Sequence, residues 1–277
     1  MGNIISRSLV TLAQKLPSSW RLVLTQSKAA NWLRRLSLLP FEHGLIVVDL
    51  ASPLLGYRMR LDMLGGHRRF ALGTYEPEIS QVMQAFLKNG ATALDIGANI
   101  GYFTLLMARL VGAEGRVIAF EPFLPVFSLL QENLSLNHLA WAQAECLAVS
   151  DSAGSARMES ENDNQHSFIT HFSETGDLTV STISLDQYIE TGKLTSLDFI
   201  KIDVEGAEDA VILGMTRTLR EYHPVVLVEI HHTDGAESSG LSQLAEMGYQ
   251  LQRVEKGGLY ACDTLARGGY VLARWPA

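Results

Sequence analysis

The chain has 277 residues, 47% of them hydrophobic, with 22 basic against 30 acidic residues and a formal net charge of −8. That length and apolar content fill one large core, or one core with an appended cap, and the acidic balance argues against a surface given over to nucleic acid. Cys146 and Cys262 are the only cysteines, too few and too far apart for a disulfide framework or a thiolate metal cluster, which points to a reducing compartment.

No run approaches the roughly 20 apolar residues that span a bilayer, and the start of the chain lacks the uninterrupted apolar core of a secretory signal, so the expected localisation is cytoplasmic. Residues 1–40 carry six basic residues (Arg7, Lys15, Arg21, Lys28, Arg34 and Arg35) and no acidic one, which leaves −14 for the rest, 16 basic against 30 acidic. Apolar residues such as Ile4, Leu9, Leu12, Leu16, Trp20 and Leu24 recur there at helical intervals. The segment reads as a cap helix packed on the domain, with peripheral contact to the inner face of an anionic membrane as the alternative. Met1 to Ser6 also fits the short myristoylation pattern. Residues 44–64 are rich in β-branched and aliphatic residues with interspersed turn formers and predict two short strands. Residues 1–89 are thus expected to form a helical and β cap segment, and residues 90–277 the main domain.

From residue 91 strands and helices alternate: a strand over 91–96, a helix over 102–111, a strand over 116–121, a helix over 126–137 and a strand over 142–149. A polar interval over 151–179 reads as an insertion near the substrate. A strand over 179–183, a short helix over 185–189, a buried strand over 197–203, a helix from about 207 and a strand over 224–231 follow. Such alternation implies parallel pairing with right-handed crossovers. Residues 249–254 and 269–275, around Gly257-Gly258, lack an intervening helix and suit an antiparallel terminal pair. The expected architecture is α/β, a doubly wound Rossmann-like sheet, mostly parallel, with an antiparallel C-terminal strand pair.

In a doubly wound sheet the ligand sits outside the carboxyl ends of the strands, where strand order reverses. Asp95-Ile96-Gly97-Ala98-Asn99-Ile100-Gly101 closes the first strand. Gly97 and Gly101 permit a tight turn, and the next helix offers amides with partial positive charge. Glu121 ends the second strand, where a carboxylate accepts both hydroxyl protons of a ribose. A diphosphate needs a second, closely spaced glycine, and here Ala98 and Asn99 fill that space. Asp95 repels a diphosphate but suits the ammonium group of a methionyl moiety, so the pattern favours S-adenosylmethionine over a nicotinamide dinucleotide.

Asp95 to Gly101, Phe120-Glu121-Pro122, Ala148-Val149-Ser150-Asp151, Phe199 to Glu208 and Val228-Glu229-Ile230-His231 together resemble the FkbM-type methyltransferase family, in order over residues 95–231. Gly73-Thr74-Tyr75-Glu76-Pro77-Glu78 resembles the segment that precedes the domain in many members, whereas residues 1–70 carry no comparable motif. The resemblance implies a class I methyltransferase domain acting on hydroxyl groups of macrolide or saccharide natural products. Gly97, Asn99 and Gly101 are then expected at the methionyl part, with Glu121 on the ribose and adenine by Ala148, Val149 and Asp151. Tyr75 and Glu76 are expected to close over the cofactor, although a helix start at Pro77 explains them nearly as well.

An alcohol needs a base within hydrogen-bond reach, or a metal that acidifies it. Asp203 ends the fourth strand and Glu205 lies just beyond it, each as base or substrate anchor, and His231 after the fifth strand is a further candidate base. The competing account of Asp203, Glu205 and Glu208 is helix capping and first-turn charge. Lys201 alternates with Asp203 and is expected to pair with a carboxylate, since a lone buried lysine is costly. A divalent cation on Asp203, Glu229 and His231 is conceivable but not favoured, because no close-spaced ligand motif supports it. The expected partner is a saccharide or other small molecule. The rival accounts are methylation of an amine or of nucleic acid, of which a base-directed amine methylase is disfavoured by Ile202-Asp203-Val204-Glu205 where an Asn-Pro-Pro-aromatic segment would stand, and a non-catalytic nucleotide-binding module docked on a membrane.

Overall fold

A computed structural model describes residues 14–17, 45–62, 67–161, 169–172, 175–192, 194–231, 236–262 and 264–276. Most of the basic amphipathic segment expected over 1–40 lies outside these residues. Among the described residues, no helix is long and apolar enough to cross a membrane.

The chain divides into two compact units. Among the described residues, the first holds 14–17, 45–62, 67–77 and a later piece, 135–138. Its two strands, β1 (Leu45–Asp49) and β2 (Arg58–Asp62), pair antiparallel with Leu45 opposite Asp62, as residues 44–64 lead one to expect. The short helix α1 (Arg68–Ala71) follows.

The second unit takes in most of α2 (Pro77–Phe86) and then alternates β3 (Thr92–Ile96), α3 (Tyr102–Val111), β4 (Arg116–Phe120), α4 (Leu124–Leu136) and β5 (Ala142–Glu145). Next come β6 (Ala148–Ser150), β7 (Gly154–Glu161), β8 (Ile169–Phe172), β9 (Leu178–Ser184), α5 (Leu185–Glu190) and β10 (Phe199–Ile202). The chain ends with α6 (Glu208–Leu213), α7 (Thr216–Tyr222), β11 (Val225–Ile230), α8 (Ser239–Glu246), β12 (Gln250–Glu255), β13 (Gly258–Ala261) and β14 (Gly269–Arg274).

The main sheet has eight strands in the order β13-β12-β14-β11-β10-β3-β4-β5. The five from β11 to β5 are parallel and the remaining pairings are antiparallel, which is the expected α/β architecture. Every residue of β3 and β10 is buried, because a parallel strand covered on both faces reads as a nearly continuous apolar run. The core draws Leu94, Ile118, Phe120, Ile200, Val226 and Val228 from the central strands, and Phe120 meets Tyr188 of α5 edge-on at 5.0 Å between ring centroids.

Three expectations are corrected. The single strand over 142–149 is two: β5 ends at Glu145, and β6 leaves the main sheet to pair in parallel with β9. The polar interval forms a second sheet, ordered β6-β9-β7-β8. Its alternation is a strand signal of period two that a search for long apolar runs passes over: Ala156 and Met158 lie opposite Val180 and Leu178, while Ser155, Arg157, Thr179 and Ser181 are exposed. The helix from 207 is broken into α6 and α7 at Gly214, where a Cβ would overlap the carbonyl of Ser150. At the C-terminus the expected pair is β12 with β14, Gln252 opposite Leu272, and β13 adds a hairpin edge.

Candidate active site

Strand order reverses between β3 and β10, since β4 and β5 lie on one side of β3 while β10 and β11 lie on the other. In doubly wound sheets ligands bind beyond the carboxyl ends of the strands at such a reversal. The amide of Asp203 donates to the carbonyl of Ile96 at 3.0 Å, so the two strand ends run level.

The turn after β3 has three left-handed residues, Gly97 at φ 78°, Asn99 at 49° and Gly101 at 94°. At Gly97 a Cβ would overlap the carbonyl of Asp203, so both the conformation and the close approach of the neighbouring strand end require glycine. Gly101 is the N-cap of α3 and no side chain caps that end, which leaves the turn leading into a helix N-terminus suited to an anion.

Glu121 is buried and binds back onto this turn. Its Oε2 accepts the amide of Asn99 at 3.0 Å and its Oε1 accepts the amide of Phe123 at 2.9 Å. Burial pushes its carboxyl up to about 7 despite those two bonds. The side chains of Ala148 and Val149 are buried and Asp151 is exposed, so this stretch offers a ligand chiefly main chain and the Asp151 carboxylate. Cys146 is half-buried, with its thiol 3.6 Å from the Pro122 carbonyl, and burial and the nearby Glu121 push the thiol up. Tyr75 and Glu76 belong to the first unit, where Tyr75 packs edge-on against Phe70 at 4.5 Å.

Beneath the turn lies a chain of buried charge. Register sets Lys201 of β10 beside Asp95 of β3, and Asp203, two residues on, shares that side of the strand. Lys201 Nζ lies 3.0 Å from Asp203 Oδ2 and 3.6 Å from Asp95 Oδ1, while Thr104 Oγ1 donates to Asp95 Oδ2 at 2.6 Å. Asp95 is wholly buried, under the turn rather than at its mouth, and burial raises its carboxyl against the pull of Lys201 and Thr104. The sequence shows Lys201 as a carboxylate partner; that it links two carboxylates follows only from the strand register.

Asp203 also belongs to a second cluster of charge, around His231. His231 Nδ1 sits 2.6 Å from Glu208 Oε1, an oxygen that also accepts the amide of Gly206 at 2.9 Å. His231 Nε2 faces three carboxylates: Glu205 Oε2 at 3.4 Å, Asp203 Oδ1 at 3.6 Å and Glu229 Oε2 at 3.7 Å. The loop brings Glu205 round by adopting φ 52° there. Burial disfavours charge on the ring, but the Glu208 bond and then Glu205, Glu229 and Asp203 outweigh it and lift His231 to about 9. With those carboxylates bare, the ring is an imidazolium at neutral pH and has no lone pair to take a proton. Glu208, read from sequence only as a first-turn helix acid, turns inward because a buried carboxylate needs partners.

The family model for the methyltransferase FkbM domain matches residues 95–251. The hexuronic acid methyltransferase AglP of Haloferax volcanii is 34% identical over 164 residues, 58% of this chain and 65% of that one. The 31-O-demethyl-FK506 methyltransferase FkbM of Streptomyces tacrolimicus is 27% identical over 196 residues, 60% of this chain and 75% of that one. The crystal structure of methyltransferase FkbM from Methylobacillus flagellatus aligns at a TM-score of 0.44 and 18% identity, covering 74% of this chain and 52% of that one. With the family's motifs matched through the turn after β3, the end of β4 and the ends of β10 and β11, the chain belongs to the FkbM methyltransferase domain family.

Proposed function

We propose that this chain transfers the methyl group of S-adenosylmethionine to a hydroxyl oxygen of a saccharide or other natural-product small molecule. The observation that carries this is one juxtaposition: at a single strand-order reversal, a glycine turn tied to a buried acid adjoins a separate set of partly exposed carboxylates around Asp203.

The cofactor fits the residues present. A carboxylate has about four acceptor positions, and backbone amides take one on each oxygen of Glu121. Two remain in a buried group short of donors, and a vicinal diol supplies two. Gly97, Asn99 and Gly101 would hold the methionyl carboxylate at the N-terminus of α3, Glu121 the ribose, and the stretch around Ala148, Val149 and Asp151 the adenine. When bound, the cofactor supplies a methyl carbon made electrophilic by its sulfonium.

Asp203 and Glu205 hold the acceptor hydroxyl and take its proton, and their chief contribution is orientation along the line of displacement. With no cation among those carboxylates, His231 itself carries the positive charge there. The names of two relatives, a hexuronic acid methyltransferase and a 31-O-demethyl-FK506 methyltransferase, support an oxygen-bearing natural-product acceptor.

The test is transfer of label from methyl-labelled S-adenosylmethionine to a hydroxylated extract, with periodate-treated and amine-blocked acceptors in parallel. Label lost on periodate treatment and kept on amine blocking is the expected outcome. Label kept on periodate treatment and lost on amine blocking would assign a nitrogen acceptor, and cofactor binding without transfer would assign a binding module.

A further inference from the structure

We infer that Asp203, Glu205 and His231 form a divalent-cation site of the Mn2+ or Zn2+ type, with Glu208 as the carboxylate that orients the histidine. One ligand atom from each of the three residues lies within 4.8 Å of the others. Three features single this group out from an ordinary acidic cluster.

The first is the division of labour on the imidazole. Glu208, nearly fully buried, takes Nδ1 at 2.6 Å and is itself held by the Gly206 amide. A metal-bound histidine characteristically gives its other ring N–H to a carboxylate, which fixes the tautomer that leaves Nε2 as the donor atom.

The second is spacing. Nε2 stands 3.4 Å from Glu205 Oε2 and 3.6 Å from Asp203 Oδ1, longer than the roughly 2.7 to 2.9 Å of a charge-assisted N–H···O bond. Bonds of about 2.1 Å to a common ion put tetrahedral or octahedral ligand atoms about 3.0 to 3.5 Å apart.

The third is charge. Asp203, Glu205, Glu208 and Glu229 surround this ring, and Lys201 approaches Asp203 at Oδ2, not at the Oδ1 that faces Nε2. Two carboxylates and one imidazole suit Mn2+ or Zn2+, and Glu229 Oε2 lies 3.7 Å from Nε2.

The role of such an ion in catalysis rests on the proposed methyl transfer: an open coordination position would receive the acceptor oxygen and acidify its hydroxyl. The site itself does not depend on that function.

The experiment titrates Mn2+ into the full-length chain, with and without S-adenosylhomocysteine, and counts free ion by electron paramagnetic resonance. One ion per chain is expected. His231→Asn and Glu205→Gln should each weaken binding at least tenfold and Glu208→Gln by on the order of tenfold to a hundredfold, with each variant's melting temperature recorded. Glu205→Gln alters a side chain 37% exposed and tests the site even if a buried variant fails to fold. Absence of bound Mn2+ at millimolar concentration, or affinity unmoved in Glu205→Gln, would overturn the inference. Mn2+ bound without affinity for S-adenosylhomocysteine would instead count against the methyl-transfer assignment and leave the ion site standing.

Discussion

The backbone N–H of Asn99 donates to Glu121 Oε2 at 3.0 Å, which ties the turn after β3 to the end of β4. The residues expected at the methionyl part and at the ribose of the cofactor are therefore one hydrogen-bonded assembly. A change at Glu121 removes the proposed ribose acceptor and also loosens the turn.

Glu121→Gln is predicted to weaken S-adenosylhomocysteine binding by on the order of tenfold or more, the scale of losing bonds to a charged group, read by calorimetric titration. The native carboxyl is raised to about 7 by burial, against about 4.3 in an unfolded chain. A raised carboxyl stabilises the fold while protonated, so its contribution is fully present below about pH 4.3 and is lost as pH rises through 7. Urea denaturation of the ligand-free chain should show that decline between those limits, and Glu121→Gln should flatten it. A flat wild-type profile would contradict the burial of an ionised Glu121.

Gly97→Ala should abolish cofactor binding and lower the melting temperature, because the added Cβ meets both a left-handed backbone and the Asp203 carbonyl. Gly206→Ala is the control. It is also left-handed, at φ 100°, but open space surrounds the position a Cβ would take, so it should lose only about 1 to 2 kcal/mol to backbone strain. Thermal melts and titrations of the two variants side by side decide whether the close approach at Gly97 matters.

Lys201→Met leaves Asp95 and Asp203 facing each other without their shared cation. Removing one partner of a buried ion pair costs about 3 to 5 kcal/mol, measurable by chemical denaturation. Adding Asp95→Asn removes one of the stranded charges and should restore part of the loss, since contacting residues couple. Strict additivity would show that the pair does not interact in solution.

Asp203→Asn is expected to leave S-adenosylhomocysteine affinity near that of the parent while turnover falls by on the order of a hundredfold, the usual scale for a positioned base. Single-turnover kinetics beside a binding titration separate the two. Turnover unchanged in this variant would remove Asp203 from the chemistry.

The parts of the fold that follow from period and glycine placement were legible in the sequence. The apolar run ending at Asp95, the glycines at 97 and 101 and the acid at 121 announce a strand, a turn and a second strand end, and the structure has them there. The second sheet was harder to see, because Ser155, Arg157 and Thr179 alternate with Ala156, Met158 and Val180 in strands open on one side. The break at Gly214 was hidden for another reason: it answers to the carbonyl of Ser150, far away in the chain. In the site, Asp203 and His231 stood at strand ends and could be singled out. The inward turn of Glu208 and the bridging by Lys201 depend on which atoms meet across strands, and no spacing along one chain segment encodes that.

The most direct measurement is a crystal structure of the chain with S-adenosylhomocysteine. Its amino-acid carboxylate should lie against the turn formed by Gly97, Asn99 and Gly101, with both ribose hydroxyls on Glu121. The molecule bound elsewhere, or absent from the crystal at saturating concentration, would contradict the assignment of this crevice.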